Sequence, residues 1–269
     1  MKYIDFHSHV YPPAIARKAT VATCDFYDLV SPYVGTPEEK RALDGASGIT
    51  HSLILPVAVL PRLVRSCNLY AAETAKKDPH FIAFGTVHAA DENMTDELAG
   101  FEELGLCGVK LHPDMQRFNI DDERLFPLYD AVQGKLPVMF HSGDFRTQYS
   151  RPARIRRVMD LFPRLTVIAA HLGAWSLQEE AFPLLKDKEN LFVDTCSSMS
   201  HMPKERAMKY IRGYGVERVF FGSDYPVEDP VYQIKVLEAM PLTDDEKERI
   251  AHLNAEAFLR EFCGRQIGI

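Results

Sequence analysis

The sequence predicts an α/β fold, a (β/α)8 barrel of the TIM type, distorted by a long loop after its first strand. Three observations predict it. The chain has 269 residues, a length that suits one large domain over 1–269 with a sizeable core. Eight short apolar runs, rich in β-branched residues, are spaced along it, and strands buried on both faces of a parallel sheet read this way. A helical pattern follows each run, so the β-then-α unit recurs eight times. A doubly wound open sheet is the alternative, but no G-x-G-x-x-G follows the first run.

The first run is KYIDFHSH (2–9). The segment after it, 10–35, is too long for a simple strand-to-helix loop and carries Tyr11, Phe26, Tyr27 and Tyr33. In a barrel it falls on the C-terminal face of the strands, as a lid or pocket wall. The second run, THSLILPVAV (50–59), precedes a helix opened by Pro61. The third, FIAFGTVHA (81–89), precedes NMTDELAGFEELG, which Gly105 can close as a C-cap. LCGVKLHP (106–113) and LPVMFHSGD (136–144) lead into DDERLFPLYDAVQGK and RPARIRRVMDLFP. LTVIAAHLG (165–173) and LFVDTCSS (191–198) lead into SLQEEAFPLLKDK and MPKERAMKYIRGYG. The eighth run is VFFGSDYP (219–226). The last helix opens at Thr243, with Glu246 in capping-box spacing, and presents Ile250, Leu253, Ala257 and Phe258 as one apolar face.

Composition is that of a globular protein, 46% hydrophobic and 26% charged. With 31 Lys+Arg against 38 Asp+Glu the net charge is −7, which argues against nucleic acid or an anionic membrane as partner. The one basic run, Arg151 to Arg157, reads as a solvated helix face. Five cysteines lie far apart with no C-x-x-C, so a reduced, cytoplasmic protein without a disulfide framework is expected. The first residues lack a signal-peptide pattern, and no apolar run approaches the ~20 residues a membrane span needs.

The polar residues gather at the C-terminal ends of the runs, where barrels assemble their sites. His7 and His9 end the first run, His88 the third, Lys110 and His112 the fourth, His141 the fifth, His171 the sixth and Asp224 the eighth. Alternation along a strand puts His7 and His9 on one face, with Asp5 sharing their parity but deeper. Two neutral imidazoles converging on one point suit a divalent metal, and a third histidine from the fifth run plus a carboxylate from the eighth complete an N3O set. Zinc leads, and Mn, Fe and Co use similar ligands. Each signal alone is weak: a lone buried histidine is commonly a satisfied core residue. The conjunction carries the reading, because each apolar run would otherwise bury an unpaired polar group.

With DFHSH, GVKLHP, FHSG, AHLG, FGSDYP and the closing NAEAFL in place, the chain resembles the amidohydrolase superfamily over nearly its whole length. It is most similar to the branch of aminocarboxymuconate-semialdehyde decarboxylase and related metal-dependent TIM-barrel hydrolases. The resemblance implies that His7, His9, His141 and Asp224 hold a single metal. His171 would contact the metal-activated water and the reacting group, and Asp224 would also carry the proton. The activity expected first is hydrolysis of an amide, lactone or ester bond of a small substrate. Decarboxylation of an unsaturated or aromatic carboxylic acid is the alternative at the same metal, and a TatD-like nuclease ranks below both. Lys110 could bridge two metals as a carbamate in binuclear relatives; here one metal is expected, with Lys110 an ion-pair partner or substrate contact. His112, His88 and Arg146 are further possible substrate contacts, Arg146 through its planar fork or else as an ion pair with Asp144. Trp175 follows AHLG and reads equally as pocket wall or core. A homodimer is expected from the resemblance alone.

Overall fold

The computed structural model of the protein describes residues 1–264. Its strands are β1 (Tyr3–Ser8), β2 (Ile49–Ile54), β3 (Phe81–Ala83), β4 (Gly85–Thr86), β5 (Val109–Leu111), β6 (Val138–Phe140), β7 (Val167–Ala169), β8 (Leu191–Asp194) and β9 (Val219–Phe220). All neighbours pair parallel, in the orders β1-β2-β3 and β4 through β9. Each predicted run contains a strand, and the third contributes two, parted at Phe84. The parting is a change of partner: Phe84 N donates to the Ile54 carbonyl at 3.2 Å, and Gly85 N to that of Gly108 at 2.9 Å. At the other seam Phe6 N donates to Phe221 O (2.8 Å), Asp224 N to His7 O (2.8 Å) and His9 N to Tyr225 O (2.7 Å). Eight staves therefore close into a barrel, distorted at two seams that a few bonds stitch together.

The strand pleat divides the core in two. Ile4, Phe6, Phe84, Met139, Ile168 and Phe220 fill the barrel, with Phe6 stacked on Phe220 at 4.1 Å between centroids. Val109, Leu111, Val138, Phe140, Val167 and Ala169 face the surrounding helices. The closing helix (Asn254–Cys263) sets Phe258 5.5 Å from Phe6 and 5.1 Å from Phe220, plugging the end opposite the histidines. Its capping box at Thr243 and Glu246 forms as predicted. Its predicted apolar face forms in part: Ile250 and Phe258 are buried, but Leu253 is 36% exposed and Ala257 is exposed, and Ala255 and Leu259 are buried in their place. A π-turn at Arg249–Leu253 supplies the reason, since its extra residue rotates everything after it.

The segment 10–35 is more ordered than a loop. It carries a three-turn helix, α1 (Ala16–Tyr27). A second helix, α2 (Pro37–Ser47), follows, opened by Thr36, whose side chain accepts from Glu39 N at 3.2 Å, and closed at Gly48 with φ +84°. After β2 comes α3 (Val64–Lys77), preceded by a short turn from Pro61. The basic run lies on a helix whose arginines are paired: Arg154 and Arg157 share Asp121 at 2.5 and 2.8 Å, and Arg156 meets Asp160. Among the described residues no helix is long and apolar enough to cross a membrane.

One expectation about cysteine is corrected. Cys107 and Cys263, 156 residues apart, are joined by a disulfide, because the closing helix lays its last turn against the chain just before β5. Cys24, Cys67 and Cys196 are free. Thiol titration of the unfolded, unreduced chain is expected to count three groups, rising after reduction to the five that the sequence contains. Five in both conditions would remove the bridge.

Candidate active site

The site begins with an irregularity in β1. The β1–β2 register shifts between Asp5 and Ser8, so strict alternation fails in mid-strand. Phe6 belongs to the barrel interior, and His7 immediately after it also turns inward, its Nε2 3.1 Å from Lys110 Nζ. Asp5 turns outward to Lys40 of α2, at 2.8 Å. His7 and His9 do converge, but Asp5 is not on their face, which corrects the simple parity argument. Bulges of this kind re-aim side chains beside active sites. Gly222 makes room for it: a Cβ there would stand 2.9 Å from that of His7.

Hydrogen bonds fix which nitrogens are free. His9 Nδ1 lies 2.7 Å from the Leu55 carbonyl and His7 Nδ1 2.8 Å from Asp194 Oδ2. Both partners are acceptors, so each Nδ1 carries the proton and each Nε2 keeps a lone pair. Both Nε2 atoms stand 3.6 Å from Asp224 Oδ1. Three lone-pair atoms therefore face one another with no proton between them. Ligand atoms about 2.0–2.2 Å from a metal at tetrahedral angles are roughly 3.3–3.6 Å apart, so the set fits a divalent cation. Burial, then the neighbouring Lys110, pushes His7 down to about 4, leaving it neutral and ligand-competent near pH 7. Burial alone would raise the Asp224 carboxyl, but the adjacent imidazoles of His9, His7 and His171 hold it well below the usual range. Ser197 donates to its other oxygen at 2.5 Å.

A second set of contacts runs through the remaining histidines in one direction. His112 Nδ1 accepts from Met115 N at 3.3 Å, leaving Nε2–H to donate to the Tyr27 hydroxyl at 2.7 Å. Tyr27 then donates to His141 Nε2 at 3.2 Å. His141 Nδ1 donates to His171 Nε2 at 2.9 Å, and His171 Nδ1 to the Cys196 carbonyl at 3.1 Å. A backbone N–H at one end and a backbone carbonyl at the other set the sense of every bond between. Burial, reinforced by their cationic neighbours, drives His112 and His141 well below the ordinary histidine value.

Three of the four expected ligands thus come together, with the ligand atoms of His7, His9 and Asp224 within 4.8 Å of one another. His141 stands beside them, beyond His171, and groups instead with Asp114 and Asp144. Asp114 Oδ2 is buried without a hydrogen-bond partner, 3.8 Å from His141 Nε2, and burial raises its carboxyl to about 6. Lys110 is fully buried on β5, and desolvation lowers its ammonium. His171 is buried behind the cavity wall, and His88 also lies off that wall, its Nδ1 accepting from Ala90 N and its ring against Phe118. The Arg146 fork is already engaged by Asp144, at 2.9 and 2.6 Å, and its remaining arm holds the Phe26 carbonyl at 2.6 Å. It sits over Phe26, Tyr27 and Trp175 and pins the end of α1, so the ion-pair reading of Arg146 is the observed one.

All of this opens into a cavity of about 690 Å3. His7, His9, Lys110, His112, His141 and Asp224 form its polar floor, and Tyr27 and Trp175 stand against each other in its wall at 5.0 Å. A family model described as amidohydrolase matches residues 4–260 of the chain. The chain belongs to the amidohydrolase family. No curated protein matches it in sequence. Among solved structures, an uncharacterized TIM-barrel protein, Bb4693 of Bordetella bronchiseptica, aligns with TM-score 0.83 at 22% identity, covering 98% of this chain and 100% of its own. A 2,6-dihydroxybenzoate decarboxylase complexed with 2,6-dihydroxybenzoate aligns at 0.76 and 18% identity, covering 97% and 99%. A dihydroxybenzoic acid decarboxylase of Polaromonas, with bound manganese and the inhibitor 2-nitroresorcinol, aligns at 0.74 and 16%, covering 96% and 97%. At these identities the likeness is one of fold, and it agrees with the predicted barrel.

Two members of this family site are not singled out by the sequence reading. Asp194 accepts from His7, from His171 N at 2.8 Å and from Cys196 Sγ at 3.1 Å. Its signal was a carboxylate ending the apolar run LFVD. Ser197, which holds Asp224, had no signal beyond its place just past the same strand.

Proposed function

We propose that this amidohydrolase-family protein is a metal-dependent decarboxylase of an aromatic or unsaturated carboxylic acid. The observation that carries the reading is the convergence of three proton-free ligand atoms at the floor of a cavity walled by aromatic and apolar side chains. Such a wall suits the carbon skeleton of an unsaturated acid and offers little to an amide's hydrogen-bonding groups. The decarboxylases that share the fold support the same choice over hydrolysis, the activity expected first from the sequence.

One divalent ion per chain, zinc or manganese, would be held by His7, His9 and Asp224 with His141 as the further imidazole at hand. When bound it would supply positive charge that orients the acid and stabilises developing charge. In the reaction the bond from carbon to carboxyl breaks, its electron pair stays on the carbon, CO2 leaves, and the carbon takes a proton. Asp224, ionised and steadied by Ser197, is the group placed to take a proton from water and pass it to that carbon. His171 acts as a positioning residue, tying His141 to the strand that bears Asp194. Lys110, its Nζ 3.1 Å from His7 Nε2, is a further polar group on the floor within reach of the acid.

The test combines elemental mass spectrometry with product analysis in 18O-water. About one metal per chain is expected, with CO2 released from a panel of aromatic and unsaturated acids. Incorporation of 18O into products of amides, lactones or esters, with no CO2 from any acid, would overturn the proposal in favour of hydrolysis.

A further inference from the structure

The cavity is larger than its polar floor requires, and its outer part has a distinct composition. Cavities of roughly 300–1,000 Å3 hold drug-sized ligands rather than a single small ring, and this one measures about 690 Å3. Every charged group in its wall, Lys110, Asp114, Arg117 and Asp224, comes from the far side, from β5, the turn after it and the segment after β9. The two segments that form the near side, Val10–Leu29 with α1 and Ile54–Ala71 with the start of α3, contribute no charged side chain to the wall. Of the polar side chains they do contribute, Tyr27 is engaged by His112 and His141 on the floor, Cys67 brings only a weakly polar thiol, and the others are satisfied locally. Tyr70 donates to the Tyr11 carbonyl at 3.1 Å, Tyr11 and Thr23 hydroxyls meet at 3.3 Å, and Ser66 donates to the Leu63 carbonyl at 3.0 Å. The near side therefore has no hydrogen bond or ion pair waiting for a polar ligand. It does have apolar side chains open to water: Ile15, Leu29 and Val59 are 51%, 40% and 42% exposed.

We infer that the natural substrate carries an apolar arm, an alkyl or extended aromatic chain, that lies between α1 and the segment 54–71 while its carboxyl end meets the histidine floor. The inference rests on the proposed reading for its acid head; the arm rests on the wall just described. Apolar surface there gains by being covered, and a chain that reaches it binds more tightly with each carbon buried. Small residues facing the space, Ala19, Ala22 and Cys67, leave the room the arm occupies.

The experiment measures binding of butanoate, hexanoate, octanoate and decanoate to the metal-loaded protein by calorimetry, below their micelle concentrations. Affinity is expected to rise about fourfold per added methylene until the cavity is filled, then to level off. In Ala22→Trp, a substitution at an exposed helix position, the gain is expected to stop at shorter chains; Cys67→Trp is the second blocking variant, and circular dichroism with metal content reports the fold of both. Affinity that is flat along the series, or a gain that survives both variants, overturns the arm. A flat series in protein that still releases CO2 overturns the arm and leaves the reaction standing. A steep, blockable series in protein that releases none leaves the arm standing and overturns the reaction.

Discussion

His7→Ala is expected to leave the protein folded, to remove stoichiometric metal and to lower turnover by about a thousandfold or more, beyond the 10–100-fold typical of losing a group that merely supports a ligand. The size follows from what His7 does at both ring nitrogens. Nε2 is one of the three proton-free atoms that converge on the proposed metal position, and Nδ1–H anchors the ring on Asp194 at 2.8 Å. The substitution removes a ligand and also leaves the Asp194 oxygen buried without its donor, a loss of about 1–3 kcal/mol in stability. Asp194→Asn separates the two effects. It keeps the ligand but weakens its anchor, and is expected to cost 10–100-fold in metal affinity with the cavity intact. Metal content by elemental mass spectrometry and activity at saturating metal check the pair. Full metal and full activity in His7→Ala would remove the site from these residues.

The order of those effects also separates what a sequence can disclose from what it cannot. Strand positions were legible because nearly every strand position is buried, the start of β2 excepted, so apolar runs and strands coincide from Tyr3–Ser8 to Val219–Phe220. The histidines were legible because a polar residue ending such a run must be used for something. Asp194 satisfies the same rule, yet a carboxylate beside cysteine and serine reads equally as a turn. The slip inside β1 was illegible: nothing in DFHSH distinguishes a regular strand, which would align Asp5 with His7, from the bulged one that sends Asp5 out to Lys40. The closing helix misled for a related reason, since a single π-turn exchanges Leu253 and Ala257 for Ala255 and Leu259 in the buried face. Tyr27 lay within a segment read as pocket wall, but its place in the hydrogen-bonded chain of histidines depends on α1 being held at its end by Arg146, a contact 120 residues away in sequence. The Cys107–Cys263 bridge is longer-range still. Local patterns reveal elements; pairings across the barrel appear only when it closes.

The largest expected loss of stability lies beneath the proposed metal position, where Lys40→Ala is expected to destabilise the protein by about 3–5 kcal/mol. Lys40, Asp5 and Asp44 are all fully buried. The ammonium meets Asp5 at 2.8 Å and also pairs with Asp44, and Asp44 accepts from Ser52 and from His80 at 2.7 Å each. Removing that ammonium takes the ion-pair partner from both buried carboxylates and leaves Asp44 with only His80 and Ser52. For a chain of this size the loss corresponds to a fall in Tm of roughly 6–15 °C. The pH dependence carries a sign. Lys40 holds the Asp44 carboxyl below its ordinary value although burial would raise it, so its stabilisation is present above the unfolded-state pKa and is lost as pH falls through the folded one. In the variant that cation is gone: burial, which already raises the Asp5 carboxyl in the parent, is opposed at Asp44 only by the hydrogen bonds from His80 and Ser52, so both carboxyls rise and acid relieves the variant more than the parent. The stability gap is therefore expected to be widest near neutrality and to narrow towards about pH 4, where aspartates ordinarily protonate. Asp5 links this network to the site: it accepts from His7 N at 3.2 Å and from Ser223 N at 2.8 Å, next to Asp224. Metal affinity should accordingly weaken in Lys40→Ala even at temperatures where the variant is folded. Thermal unfolding followed by circular dichroism from pH 4 to 8, with metal titration at 20 °C below the transition, tests both halves. A Tm within about 2 °C of the parent at pH 7, or a gap that widens on acidification, would show that the buried cation does not hold these strands together.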